Sequence, residues 1–363
     1  MRFIIIGYRD SYFWNDFGTS VRDLQIAEIL SRNNEVIFIN RPVSIYERLL
    51  NKSKRKSVFS KYSSRINFVD ITSCDLIGPL KGRLWTEKCY TRIFTDTLKT
   101  YTEYYNGKVC VIDFTPLAQI KYVKQKNVYY WYDLIDNFSI HNRFSEREKE
   151  IVKRKYEYVN IHANLITGVS SKAIKEFTNE NVHVMPNGVY FESEEVTNST
   201  PSDFDRIYDL GFVGFVTDKF DVEFVNKLSE KHSIVIWGKF YDESVTNKLS
   251  KNIKIAGKFN YCDLPGIMKT FKVGLLPYLQ NKSHDESPLK MYEYFKHGIP
   301  CLSSMDFEIE SLWFSNYTKL NSDELEQKIN YFIISSDSDD IRTSIKDDWI
   351  FENKIQLTLS KFG

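Results

Sequence analysis

Short unbroken apolar runs alternate with helix-patterned segments along this chain, in two successive trains. The first train opens with "RFIIIG" at 2–7, an apolar run closed by glycine, as expected of a strand buried on both faces of a parallel sheet. "SVRDLQIAEILSRNN" then places Val21, Leu24, Ile26, Ala27, Ile29 and Leu30 at roughly helical spacing, and "EVIFIN" completes a strand-helix-strand unit. "KVCVIDF", "NVYYWYDLID", "NLITGVS" and "VHVMPNG" continue the series. A polar, acidic stretch at 191–206, "FESEEVTNSTPSDFDR", interrupts it and reads as a linker. The alternation restarts with "IYDLGFVG", "SIVIWG", "IKIAG", "KVGLLPY" and "IPCLSS", each separated by a helical pattern, and "ELEQKINYFII" and "DWIFENKIQLTLSKF" follow as helices. The expected class is α/β, with two doubly wound, Rossmann-like domains. The expected boundaries are 1–190 for the first domain, 191–206 for the linker, 207–345 for the second domain and 346–363 for a terminal helix. No repeat at a solenoid period is present.

Composition removes several function classes. A chain of 363 residues, 42% of them hydrophobic, can bury more core than one ordinary domain needs. The net charge of +1 implies neither a nucleic-acid partner nor an acidic tail. Cys74, Cys89, Cys110, Cys262 and Cys301 are scattered without a CxxC pair or a histidine-spaced metal set, and read as buried thiols of a reducing compartment. "MRFIIIGYRD" is too short in apolar length for a signal peptide, and no stretch approaches the roughly 18 apolar residues of a membrane span. A cytoplasmic protein is expected. "IIIGYRDSYF" also lacks the GxGxxG spacing of a dinucleotide site, which argues against a dehydrogenase.

The chemistry concentrates in "SHDESPLKMYEYFKHGIPCLSS" at 283–304. Ser287 is expected to cap a helix of about 288 to 297, with Pro288 in its first turn and Gly298 at its end. Lys290 and Glu293 then share one face near the N-terminus. In an open α/β sheet, ligands bind beyond the carboxyl ends of the strands, where helix N-termini offer free N–H groups and positive dipole to phosphate. Lys290 adds a cation for a diphosphate, and Glu293 can accept from a ribose diol. An ordinary amphipathic helix with a solvated Lys and Glu is the plain alternative.

"SPLKMYEYFKHGIPCLSS" preceded by "VGLLPY" resembles the donor segment of GT-B glycosyltransferases of bacterial surface-polysaccharide biosynthesis, in particular the retaining group with two glutamates eight positions apart. "NLITGVSSKAIKEF" with "VHVMPNGV", "YDLGFVGFVTDKFD", "IKIAGKFNYCDLPGIMKTFKVGLLPY" and "DDWIFENKIQLTL" resemble that family's last N-domain strands, first C-domain strand and glycine turn, nucleotide-base region and terminal helix crossing back to the N-domain. The resemblance implies two domains facing across a cleft, a nucleotide-sugar donor, with UDP-sugars favoured over GDP-sugars, and a saccharide or lipid-linked saccharide acceptor. It implies neither a tightly bound cofactor nor a required metal. Carried onto this chain, it gives Glu293 the donor ribose and Lys290 the diphosphate. It also gives the Gly211–Gly214 turn a close backbone approach to phosphate.

The chain departs from the family pattern as well. The first glutamate position is Asp285, followed by Glu286, and either is a candidate contact to the transferred sugar. Phe215 stands where relatives often have Arg, leaving Lys219 to supply a second cation. "DSDD" at 337–340 superficially matches a DxD metal motif but lies in a late polar stretch.

In the first domain, "YYWYDLIDNFSIHNRF" carries Asp133 and Asp136 to the end of a strand expected to open into the cleft. Asp136 is the first choice for orienting or deprotonating an acceptor hydroxyl. Asp133, His141 and Arg143 are further cleft candidates; helix capping, or pairing of the aspartates with Arg143, is the plain alternative. Asp285 with Glu293 suggests retention, whereas a catalytic Asp136 suggests inversion. "NKSKRKSVFSKYSSR" at 51–65 carries Lys52, Lys54, Arg55, Lys56, Lys61 and Arg65 without an acid: either a solvated loop or a patch for anionic membrane lipid at the inner face of the cell membrane. A nucleotide-sugar epimerase of the same fold and a non-catalytic scaffold of a polysaccharide-assembly complex are the competing readings.

Overall fold

The computed structural model describes residues 1–8, 21–49, 64–74, 76, 86–141, 144–192, 206–241, 243–260, 263–282, 287–336 and 339–362. The chain divides into two compact units, one of residues 1–186 with 355–363 and one of residues 187–354. It joins the second unit before the expected boundary at 190, because Val189 bridges to Ile350 and exchanges backbone hydrogen bonds with Trp349 and Phe351. The helix Phe351–Leu359 therefore begins in the second unit and ends in the first.

The first unit is built on β1 (Arg2–Ile6), β2 (Glu35–Ile39), β4 (Ile66–Val69), β6 (Val109–Asp113), β7 (Val128–Leu134), β8 (Leu165–Gly168) and β9 (Val182–Val184). Their order across the sheet is β4-β2-β1-β6-β7-β8-β9, with every pairing parallel. Ile4, Ile5, Ile6, Ile37 and Ile112 are fully buried, which explains why the central strands read as unbroken apolar runs. A small parallel pair, β3 (Val43–Ser44) with β5 (Thr72–Ser73), sits apart from the main sheet. The helix Glu146–His162 opens with a capping box between Ser145 and Glu148.

The second unit contains β10 (Tyr208–Val213), β11 (Ile234–Trp237), β12 (Ile253–Gly257), β13 (Phe271–Leu276), β14 (Cys301–Ser303) and β15 (Phe314–Asn316). Again all pairings are parallel, in the order β12-β11-β10-β13-β14-β15. Counted from the start of the unit this is 3-2-1-4-5-6, the order of a dinucleotide-binding fold, and its topological switch lies between β10 and β13. The helix Leu289–Lys296 connects β13 to β14 and buries Met291, Tyr292, Tyr294 and Phe295. It ends in a Schellman motif: Gly298 N–H donates to Phe295 O at 3.0 Å and Ile299 N–H to Tyr294 O at 2.9 Å. Gly298 takes the left-handed conformation, φ +68°, that this ending requires.

Candidate functional site

Crevices for ligands in open α/β sheets form at the carboxyl ends of strands flanking the topological switch. In the second unit, that place is where Gly214 follows β10 and Tyr278 follows β13. Gly214 has φ +133°, and a Cβ there would strike the Cε of Lys290. The stem of Lys290 thus lies directly across the Gly214 backbone. Its Nζ sits 5.6 Å from the centroid of Phe212 and 5.8 Å from that of Tyr278, within cation–π range of both rings. Gly238, at φ +150°, closes β11 so near that a Cβ would overlap the carbonyl of Gly214. β12 ends in Gly257 at φ +88°. Three adjacent strands therefore finish in glycine, presenting backbone rather than side chain on the switch-point side. "GFVG", "IVIWG" and "IKIAG" carry that signal in the sequence, although only the first suggests a phosphate turn when read alone.

Lys290 and Glu293 are both partly buried, and neither belongs to the core face of their helix. That face is fixed by Tyr294, whose hydroxyl donates to Leu275 O at 3.2 Å and accepts from Val213 N–H at 3.3 Å. Burial pushes the Tyr294 phenol well above its usual range, so it remains a neutral donor. Glu293 Oε2 is closed off from solvent and lies 3.9 Å from Nε2 of His297, one turn further on. Lys219 is buried in the turn after Val216, and its carbonyl accepts from Leu279 N–H at 2.7 Å, which sets its backbone beside the Tyr278 segment. Phe215 packs edge-on against Tyr241 at 5.1 Å, and Lys239 Nζ stands 4.4 Å above the Tyr241 ring.

Two donor-segment expectations change. Ser287 does not cap the helix: Pro288 occupies the N-cap position in extended conformation, so Ser287 lies one residue outside. Its hydroxyl accepts from Asn187 N–H at 3.0 Å, and its carbonyl accepts from the Asn187 amide. Gly211 is not part of the turn. It pairs with Gly274 within the β10–β13 ladder, and the space for its Cβ is filled by the Phe271 ring. Asp285 and Glu286 lie outside the described residues, as do Arg143, Lys52, Lys54, Arg55, Lys56 and Lys61.

In the first unit, Asp136 follows β7, and its Oδ2 stands 3.5 Å from Nε2 of His141, both side chains being partly reachable by solvent. Phe138 stacks on the His141 ring at 5.8 Å. Asp133 has a different fate from the one expected. Arg22 holds it through two bonds of 2.7 and 2.9 Å, the Thr167 hydroxyl donates to it at 2.6 Å, and its carboxylate is sealed from solvent. Arg22 also donates to Met185 O at 2.8 Å. Asp133 is thus an internal ion-pair partner, not a group presented to an acceptor. A second sealed pair, Lys155 with Asp113 at 2.7 Å, is completed by the hydroxyls of Thr115 and Tyr122. Neither Arg22 nor Lys155 carried a signal in the sequence, since their partners lie 111 and 42 positions away.

Among the described residues no group of three or more His, Cys, Asp or Glu could hold a metal ion. Of the "DSDD" stretch, Asp339 and Asp340 begin the short helix Asp339–Thr343, where Asp339 pairs with Arg342 at 3.4 Å. Cys110 and Cys301 are buried and their thiols are pushed up by burial, whereas Cys74 is exposed, contrary to expectation. Arg65 is exposed, with Nη1 3.9 Å from Glu28 Oε1. Among the described residues no helix is long and apolar enough to cross a membrane.

Two Rossmann-like α/β domains in one chain define the GT-B fold, and solved structures bear this out. The N-terminal domain of Candida albicans trehalose-6-phosphate phosphatase aligns with a TM-score of 0.59 at 11% identity, covering 99% of this chain and 97% of that one. AviGT4, a glycosyltransferase involved in avilamycin A biosynthesis, aligns at 0.59 and 8% identity over 100% and 97%. WaaG, a glycosyltransferase involved in lipopolysaccharide biosynthesis, aligns at 0.50 and 12% identity over 99% and 95%. No protein-family model and no curated protein sequence matches the chain.

Proposed function

We propose that this protein is a glycosyltransferase that moves a sugar from a nucleotide-sugar, UDP-linked or GDP-linked, to a saccharide acceptor in bacterial surface-polysaccharide assembly. The observation that carries the reading is the placement of Lys290 across Gly214 at the switch point, which offers a cation and bare backbone to one diphosphate. The acceptor oxygen attacks the anomeric carbon, the bond from that carbon to the diphosphate breaks, and the negative charge grows on the leaving phosphate. Lys290 and the helix N-terminus stabilise that charge, with Lys219 as a second cation. Glu293 accepts from the ribose hydroxyls. The Asp136–His141 pair takes the acceptor proton, which favours direct displacement with inversion. The basic 51–65 segment, of which Arg65 is described, is assigned to an anionic membrane surface carrying a lipid-linked acceptor, with the protein on the cytoplasmic side.

The competing readings are an epimerase and a non-catalytic scaffold of the same fold, because fold likeness by itself does not fix an activity. Incubating the protein with UDP-sugars and GDP-sugars, with and without saccharide acceptors, separates the possibilities. Acceptor-dependent release of nucleoside diphosphate supports transfer. Free epimerised donor supports an epimerase, and no binding of any nucleotide-sugar supports a scaffold.

A further inference from the structure

We infer that His297 is a positioning residue for Glu293, closing on one carboxylate oxygen when a nucleotide binds so that the other meets the ribose diol. The inference rests on the nucleotide reading above. His297 is the C-cap of the Leu289–Lys296 helix, and its ring reaches back one turn to stand 3.9 Å from Glu293 Oε2. At 3.9 Å the two atoms are within ion-pair range and beyond hydrogen-bond length, so the bond belongs to the ligand-bound state.

The backbone under His297 is held unusually firmly. Its carbonyl accepts from Arg206 Nη2 at 3.2 Å and from Arg342 Nη2 at 3.4 Å. Arg206 also donates to Phe271 O at 3.1 Å, tying the helix end to β13. The guanidinium of Arg342 lies flush against Gly298, 3.0 Å from where a Cβ would stand. Two cations on this one terminal carbonyl suit the negative end of the helix dipole. They also fix the place from which the imidazole reaches Glu293.

The same surroundings keep the imidazole neutral. Burial, followed by the charges of Lys296, Arg342, Arg206 and Lys269, pushes His297 down to about 3, although Glu293 faces it from the same helix. A charged imidazole would neutralise Glu293 and compete with the ligand for it. A neutral one donates a single N–H and leaves the carboxylate its charge.

Calorimetry with UDP and GDP, each beside its 2′,3′-dideoxy counterpart, tests the assignment. His297→Leu removes the donor, so affinity for the ribonucleotide should fall about tenfold while the dideoxy compound, which lacks the diol, changes little. His297→Gln keeps a donor at similar reach and should stay within about threefold of the parent for both. Should His297→Leu not fold, His297→Asn, whose donor is too short to reach, carries the same contrast. Equal losses for the ribo and dideoxy compounds, or no loss for either, overturn the positioning role while leaving the nucleotide site intact. If the unmodified protein binds neither UDP nor GDP, the nucleotide reading falls and takes this inference with it.

Discussion

Asp133 and Asp136 lie three positions apart on one strand end and have opposite fates. Asp133 is sealed with Arg22, so Asp133→Asn leaves a buried guanidinium underpaired and should cost about 3 kcal/mol of stability by chemical denaturation. Asp136→Asn sits at a partly solvated site. It should leave the denaturation midpoint nearly unchanged while lowering transfer by about a hundredfold, measured as acceptor-dependent nucleotide release. A near-normal rate for Asp136→Asn would move the proton-accepting role elsewhere.

His297 gives a pH prediction at the same scale. Its folded value of about 3 lies below the ordinary imidazole value, so between the two the unfolded chain binds more protons. The stabilisation is complete above about pH 6.5 and is lost as pH falls toward 3, by at most about 1.4 kcal/mol per pH unit. His297→Gln should flatten the fall in stability between about pH 6.5 and 5. An unchanged slope would contradict the neutral, partly buried imidazole.

At the scale of elements, the central strands were legible because burial on both faces demands unbroken apolar runs. The edge strands β4 and β15 were not, because most of their residues remain partly or fully exposed and β15 is only three residues long. The Leu289–Lys296 helix was legible in its extent, its Gly298 ending and the shared face of Lys290 and Glu293. Its start was not, because Ser287 is claimed by Asn187, 100 positions away, and no local pattern announces such a bond. Gly211 and Gly214 look alike in "LGFVG" and differ only in three dimensions. Gly211→Ala would drive a methyl into the Phe271 ring and should destabilise the fold by about 1–3 kcal/mol. Gly214→Ala meets the Lys290 stem in a strained backbone conformation, so its larger effect should be on nucleoside diphosphate affinity, read by calorimetry. The reverse ranking would return Gly211 to the phosphate turn.

At the scale of the whole molecule, the chain passes between its two units at 186–187 and again at 354–355, and each unit carries a different part of the proposed chemistry. Fold similarity at 8 to 12% identity establishes the architecture and leaves the activity to the side chains. Replacing the six basic residues of 51–65 should weaken binding to anionic vesicles at low salt, with a smaller difference at high salt and no change in nucleotide affinity. Equal vesicle binding by both proteins would exclude the lipid role.

The central claim is that Lys290 and Glu293 divide one nucleotide between them, and calorimetry with a nucleoside and its diphosphate tests it most directly. Lys290→Met keeps the stem over Gly214 and removes the cation, so the diphosphate should bind more weakly, by roughly 1–3 kcal/mol, while the nucleoside barely changes. Glu293→Gln should weaken both ligands by a similar amount. If Lys290→Met weakens the two equally, or Glu293→Gln weakens neither, this pair does not hold a nucleotide in the manner proposed.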